Sequence, residues 1–142
     1  MTGTSANRHA LVFLGPEDAS HPATALACEG EVLSPGAVLP LARVRSPPWH
    51  RRPQDRVIVG SDPARADVLL AGDGIRREHL RVYIWKDGSA VEMRPLDEGS
   101  TKVNGRLLGR VEEVRLDGGE RLALGPWLFR FRHASEKEAE RG

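Results

Sequence analysis

The clearest strand and turn signals of the chain lie in Leu80-Arg-Val-Tyr-Ile-Trp-Lys-Asp-Gly-Ser-Ala-Val-Glu-Met-Arg94. Its two apolar segments flank Asp87-Gly88, and both residues of this dipeptide tolerate the positive φ angles that a two-residue hairpin turn requires. Apolar residues that recur at every second position on either side of such a turn are typical of strands. The stretch therefore predicts an antiparallel β-hairpin.

Short apolar segments separated by turns continue on both sides of this hairpin, which is the pattern of an all-β, two-sheet antiparallel sandwich. Pro40 indicates a sheet edge, because proline has no N–H to donate to a ladder. The last segment mostly alternates apolar and basic residues, as a strand with one wet face should. The predicted strands are Ala10–Leu14, Thr24–Leu33, Val38–Ala42, Arg56–Gly60, Val68–Leu70, Leu80–Lys86, Ala90–Arg94, Lys102–Asn104, Glu113–Leu116, Glu120–Leu124 and Trp127–Arg132.

The remaining segments frame a single domain at residues 8–133. Residues 1–7 are small and polar and are expected to be disordered, since they cannot bury enough surface to offset their ordering entropy. Residues 43–55 are rich in Pro and Arg, which predicts an exposed loop. Trp49 in this loop is either a lid over the sandwich edge or a contact for another protein. Residues 134–142 are a charged tail that buries nothing.

The charge balance, hydropathy and cysteine content of the chain limit the kinds of partner and the cellular setting that we expect. The chain has 142 residues, enough for one core, and 21 Lys plus Arg against 20 Asp plus Glu. This balance does not favour a nucleic-acid partner. No apolar run approaches the length of a membrane span, so no membrane partner is expected. The single cysteine, Cys28, cannot form an internal disulfide, which favours a reducing, cytoplasmic setting.

Catalytic and metal-binding patterns are also missing from the sequence. The five histidines show no metal-ligand spacing, and the chain has no nucleophile elbow and no Gly-rich phosphate-binding loop. Cys28 lies in an apolar run rather than in a setting that would activate a thiol. We therefore expect no enzyme activity, no cofactor and no metal site.

Six short turn signals between Val57 and Phe131 carry a family resemblance. They are Gly60-Ser61, Asp67-Val-Leu-Leu, Arg76-Arg-Glu-His79, Thr101-Lys-Val-Asn-Gly105, Leu116-Asp-Gly-Gly and Leu124-Gly125-Pro. In this order and spacing the chain resembles the forkhead-associated (FHA) domain, a SMAD/FHA-like β-sandwich whose loops at one end recognise phosphothreonine in partner proteins. The resemblance covers about half of the chain.

The resemblance implies a binding site with altered chemistry. Where the family has Gly-Arg this chain has Gly60-Ser61, and where the family has Ser-Arg-x-His it has Arg76-Arg77-Glu78-His79. The family's Asn-Gly-Thr becomes Gly99-Ser100-Thr101. The partner-binding residues that the resemblance implies are Ser61, Arg76, Arg77, Gly99, Ser100 and Thr101, and His79 matches a family histidine that braces its loop.

Three functions follow from these departures. The loss of the family's arginine at Ser61 and of its asparagine at Gly99 predicts phospho-independent binding to another protein, as an assembly module or adaptor that is a candidate component of a larger complex. The alternative is phosphothreonine-dependent binding in Ser/Thr kinase signalling, with Arg76 and Arg77 replacing the missing cation. The third function is a nucleic-acid contact, which the near-zero net charge of the chain disfavours. It would use part of a possible basic rim formed by Arg51, Arg52, Arg56 and Arg65.

Overall fold

Two β-sheets form an open sandwich in the computed structural model, which describes residues 9–18, 25–42, 54–85 and 90–136. An all-β sandwich is the fold class that the sequence predicts, and this prediction is confirmed. The strands are β1 Ala10–Pro16, β2 Ala27–Cys28, β3 Glu31–Val32, β4 Val38–Pro40, β5 Gln54–Gly60, β6 Val68–Ala71, β7 Leu80–Trp85, β8 Val91–Pro95, β9 Thr101–Val103, β10 Arg106–Leu107, β11 Val114–Arg115, β12 Arg121–Leu124 and β13 Trp127–Arg132. A short 3-10 helix follows at Ala134–Glu136.

The first sheet has the strand order β10-β9-β12-β13-β1-β4, and the second has the order β11-β8-β7-β5-β6-β2-β3. Strand β4, which contains Pro40, lies at an edge of the first sheet, as the sequence predicts. The decisive hairpin stretch supplies β7 and β8, which pair antiparallel from Leu80 opposite Pro95 to Ile84 opposite Val91. The ends of β5, β7 and β8 carry the loops described below.

One strand pair departs from the antiparallel pattern, because β5 and β6 run parallel with Val59 opposite Val68. Asp62 lies in the connection between these two strands. Its carbonyl accepts hydrogen bonds from the N–H groups of Arg65 (3.1 Å) and Ala66 (2.8 Å), which close a tight turn. The turn brings the chain back beside Val59 in its original direction.

Two further elements differ from the prediction. The segment Thr24–Leu33 was predicted as one strand, but β2 and β3 form a hairpin there, because Glu29 (φ 51°) and Gly30 (φ 86°) make a turn with two positive φ angles. Strand β10 was not predicted. It pairs with β9 across the turn at Asn104-Gly105.

The apolar faces of the two sheets form one core. In β13 the side chains of Trp127, Phe129 and Phe131 are buried and alternate with half-buried neighbours, which confirms the predicted wet face of this strand. Phe13 of β1 packs against Phe129 with ring centroids 5.4 Å apart. Each large apolar side chain buried in this way stabilises the fold by roughly 1.5 to 3 kcal/mol.

Several predictions lie outside the described residues and stay predictions. They concern residues 1–7, the Trp49 loop with Arg51 and Arg52, the Asp87-Gly88 turn and most of the charged tail. Within the described ranges, no helix has the length and hydropathy needed to span a membrane. In the same ranges no cluster of His, Cys, Asp or Glu is suited to hold a metal ion.

His9 joins the two ends of the described sandwich. Its Nδ1 accepts a hydrogen bond from the Ala134 N–H (3.0 Å), and its ring lies 4.4 Å from the His133 ring, edge to face. Burial, together with the nearby His133, lowers the pKa of His9 from 6.5 to about 4. His9 is therefore neutral at pH 7 in the folded protein.

We expect the melting temperature to fall as the pH is lowered from 6.5 towards 4. In this window unfolded His9 binds a proton that folded His9 does not, so acid favours the unfolded state, whereas above pH 6.5 both states are neutral and the loss disappears. The His9→Asn variant should show a smaller fall over the same window in thermal melts. Equal slopes for the two proteins would contradict this assignment.

Candidate functional site

Gly60, at the end of β5, lies directly beneath the loop that precedes β7. A Cβ atom at position 60 would come within 2.1 Å of the carbonyl oxygen of Arg77. The N–H groups of the next two residues donate to this loop, from Ser61 to the Arg76 carbonyl (3.0 Å) and from Asp62 to the Arg77 carbonyl (3.1 Å). The two loops therefore touch through their backbones, which only glycine at position 60 allows.

His79 is fully buried at the start of β7 and all four of its polar groups have partners. Its backbone N–H donates to the Val59 carbonyl (2.8 Å), and its own carbonyl accepts from the Leu96 N–H (3.0 Å). In the side chain, Nδ1 accepts from the Arg76 N–H (3.0 Å) and Nε2 lies 2.8 Å from the Ser100 carbonyl. The residue thus ties together β5, the loop before β7 and the segment between β8 and β9.

The partners of His79 also define its protonation. A backbone N–H can only donate and a carbonyl can only accept, so Nδ1 is the acceptor and Nε2 carries the proton. Burial lowers the pKa of His79, an effect that the Ser100 carbonyl opposes and the charge of Arg76 reinforces. His79 is therefore a neutral imidazole with both nitrogens occupied, which gives it the geometry of a loop brace.

An open cleft of about 680 Å³ lies where these loops meet. We call it the arginine cleft, because five arginines and three carboxylates line it. Its lining residues are Asp62, Arg65, Arg76, Arg77, Glu78, Arg81, Leu96, Asp97 and Arg110. They come from four separate parts of the chain, which the sandwich brings to one end.

Ion pairs connect four of the five arginines to the carboxylates of the arginine cleft. The shortest distances are 3.2 Å for Arg77 with Asp62, 2.8 Å for Arg65 with Glu78, 3.8 Å for Arg76 with Asp97 and 3.8 Å for Arg81 with Glu78. The Ala64 N–H, followed by Arg77, lowers the pKa of Asp62. This carboxylate therefore stays charged, so the arginine cleft contains charges of both signs at neutral pH.

The predicted binding residues divide into two groups in the structure. Arg76 and Arg77 line the arginine cleft and expose about half and most of their side chains, respectively. Ser100 and Thr101 are buried instead. The Ser100 Oγ donates to the Asp97 carbonyl (2.9 Å) and lies 3.3 Å from the Thr101 Oγ1. These two hydroxyl groups are thus engaged within the fold.

The other two predicted binding positions bring no ligand group into the arginine cleft. Ser61 does not line the cleft and is half-buried. Gly99 has a φ of 72° and is exposed, and a Cβ atom there would meet nothing within 4 Å. There is therefore open space for a side chain at position 99, where this chain has glycine.

The structure separates two members of the basic rim. Arg65 lines the arginine cleft. Arg56 lies within β5 opposite Tyr83, four residues before Gly60, which places it roughly 13 Å away along the strand at ~3.3 Å per residue. Arg81 and Arg110 also line the arginine cleft, although the sequence does not predict them as site residues. No sequence pattern around either residue indicates a binding role. The fold places them together, since Arg81 lies in β7 and Arg110 follows β10.

We expect His79→Ala to lower the free energy of unfolding by about 1 to 3 kcal/mol, because the Arg76 N–H and the Ser100 carbonyl lose their buried partner. Thermal and urea melts measure this change. His79→Gln is the control, since its amide can both donate and accept, and it should fall between the wild type and His79→Ala. Unchanged melting with lost partner binding would show instead that His79 contacts the partner.

We also expect Gly60→Ala to destabilise the protein more than Gly99→Ala does. The added methyl at position 60 meets the Arg77 backbone, whereas the methyl at position 99 enters open space and carries only the cost of a positive φ, about 1 kcal/mol. Urea denaturation of both variants compares the two effects. A larger loss for Gly99→Ala would mean that the loops can separate easily at Gly60.

The chain is similar to proteins of one known family. The family model described as "FHA domain" matches residues 57–125. No curated protein matches the chain. Among solved structures, the FHA domain of CT664 from Chlamydia trachomatis has a TM-score of 0.59 at 25% identity, covering 88% of this chain and 96% of that one.

Two further structures show the same fold at lower identity. The MEK1 FHA domain in complex with a phosphothreonine peptide of HOP1 has a TM-score of 0.51 at 16% identity, covering 77% of this chain and 94% of that one. The cytoplasmic domain of the T3SS sorting platform protein PscD from P. aeruginosa has a TM-score of 0.53 at 22% identity, covering 89% and 80%. FHA domains are non-catalytic protein-interaction modules that often bind phosphothreonine peptides. The resemblance to the FHA domain that the sequence indicates is therefore confirmed, by the family model over residues 57–125 and by the fold of the described residues.

Proposed function

We propose that this chain is a non-catalytic interaction module that binds an acidic region of a protein partner through the arginine cleft, without requiring phosphorylation. The observation that carries the proposal is the ion pairing inside the cleft. Four of its five arginines already have carboxylate partners. Such a surface suits a partner that offers several charges at once rather than a single phosphate group.

A phosphothreonine would meet an unfavourable arrangement in this cleft. It needs a fork of cationic donors plus hydroxyl or amide groups that orient the ester. The hydroxyl groups of Ser100 and Thr101 are engaged inside the fold, and Gly99 has no side-chain amide to hold the peptide backbone. These features support binding that is independent of phosphate.

An assembly role is consistent with one of the structural relatives. PscD is described as a T3SS sorting platform protein, so a domain of this fold serves in a multi-protein assembly there. We propose by analogy that this chain works as an adaptor within a larger complex, in a cytoplasmic setting compatible with its single cysteine.

The second candidate function is phosphothreonine-dependent binding in Ser/Thr kinase signalling, with Arg76 and Arg77 as the phosphate ligands. The excess of five arginines over three carboxylates in the arginine cleft favours it, because this excess gives the lining a net charge of +2, which attracts a dianion. The Arg76–Asp97 pair is about half exposed on both sides, and such pairs contribute only about 0 to 1 kcal/mol, so a phosphate could displace Asp97 from Arg76.

Affinity capture from native lysate, with and without phosphatase treatment, separates the two candidates. We expect the same proteins to be retained after dephosphorylation and to be lost with Arg76→Glu/Arg77→Glu. Arg115→Glu/Arg121→Glu, on β11 and β12 outside the arginine cleft, is the charge-matched control. Loss of the captured proteins on dephosphorylation would replace the proposal with the second candidate.

We further expect the wild type to bind phosphothreonine peptide libraries poorly, and Ser61→Arg/Gly99→Asn to bind them better. The variant restores the family's cation and amide, and asparagine tolerates the positive φ at position 99. Fluorescence anisotropy measures both affinities. If the wild type binds at micromolar affinity and Arg76→Ala costs about 1.5 to 3 kcal/mol of that binding, Arg76 is the phosphate ligand and the second candidate holds.

A further inference from the structure

A short turn after β10 carries Arg110 into the arginine cleft. Leu108 anchors the turn in the core, and its N–H donates to the Thr101 carbonyl (3.0 Å). Two glutamates hold the next backbone groups. Glu112 Oε1 accepts from the Gly109 N–H (2.9 Å), and Glu98 Oε1 accepts from the Arg110 N–H (3.1 Å). The backbone on both sides of the Arg110 side chain is thereby fixed.

The residue after Arg110 shows how firmly this turn is held. Val111 has a φ of 57°, a left-handed conformation that a β-branched residue rarely adopts. Its N–H donates to the Pro95 carbonyl (2.8 Å), while its side chain is about half exposed. Strained backbone of this kind persists only where surrounding contacts impose it, and it concentrates at binding sites. Here the strained residue directly follows a cleft arginine.

Arg110 differs from the other four arginines of the cleft in its charge environment. Within the described part of the chain, its guanidinium forms no ion pair, whereas the others share the carboxylates of Asp62, Glu78 and Asp97. An incoming carboxylate can therefore pair with Arg110 without displacing an existing partner. At Arg76 or Arg77 it would have to compete with Asp97 or Asp62.

We propose that Arg110 is the anchor of the arginine cleft and that it receives a carboxylate from an acidic, unphosphorylated segment of the partner. The inference rests on the proposed function and adds to it the residue that makes the first strong contact. The fixed turn reduces the entropy lost on binding, since the backbone of Arg110 is already ordered. The guanidinium can then form a bidentate pair of hydrogen bonds with the carboxylate.

Fluorescence anisotropy with short labelled peptides tests this assignment on the intact chain. The probes are Gly-Ser peptides that contain no aspartate, two aspartates or four aspartates, and one in which phosphothreonine replaces an aspartate. We expect affinity to rise with the number of aspartates and to weaken about tenfold or more in Arg110→Gln, as for the loss of a hydrogen bond between charged groups. The charge-matched control Arg115→Gln should leave the affinity unchanged.

A charge exchange locates the contact. Arg110→Glu should lose affinity for the aspartate peptides and regain it for a peptide in which one aspartate is replaced by lysine. Equal affinity of the wild type and Arg110→Gln for the aspartate peptides overturns the anchor assignment alone. Binding of the phosphothreonine peptide only overturns the anchor assignment together with the proposed function. If the wild type binds none of the peptides, the anchor assignment fails, whereas the phosphatase comparison still decides the proposed function.

Discussion

The buried imidazole of His79 is the interaction on which the loop end of the sandwich depends. A backbone N–H and a carbonyl from two different loops meet on its two ring nitrogens, and its own backbone bonds to Val59 and Leu96. Each of these groups would be left unsatisfied inside the protein without its partner, which is costly in a low-dielectric interior. One neutral side chain thus holds together loops that are distant in the sequence.

The loop end keeps the residues of the FHA pattern that support the loops and differs at positions where, under the proposed function, the family pattern would contact a ligand. Gly60 permits the close approach of two loops, His79 braces them and Thr101 is buried at the start of β9. Side chains at the changed positions 61 and 99 take no part in these contacts, although the Ser61 backbone N–H donates to the Arg76 carbonyl. Support and recognition lie on different residues, so the binding chemistry can change while the fold stays intact.

Mixed charge is the defining property of the arginine cleft. Its arginines stay in place through carboxylates that belong to the same loops, as with Arg77 and Asp62 or Arg76 and Asp97. The Arg76–Asp97 pair is exposed and adds little stability, whereas Asp62 is buried; under the proposed function these pairs set which ligand charges are accepted at which position. A partner with a complementary arrangement of charges gains several contacts, while an isolated anion meets repulsion as well as attraction.

The sequence by itself determined the fold class, most of the strands and the family resemblance. The alternation of apolar residues and the chemistry of turn residues act over a few neighbouring positions, so they can be read locally. The sequence also indicated Arg76 and Arg77, which line the arginine cleft, and His79, which is buried beneath the loops. Only the tertiary structure decided that Arg81 and Arg110 join the cleft, that Ser100 and Thr101 are buried and that β5 and β6 run parallel. These outcomes depend on which distant segments the sandwich brings together, and no local pattern encodes such contacts.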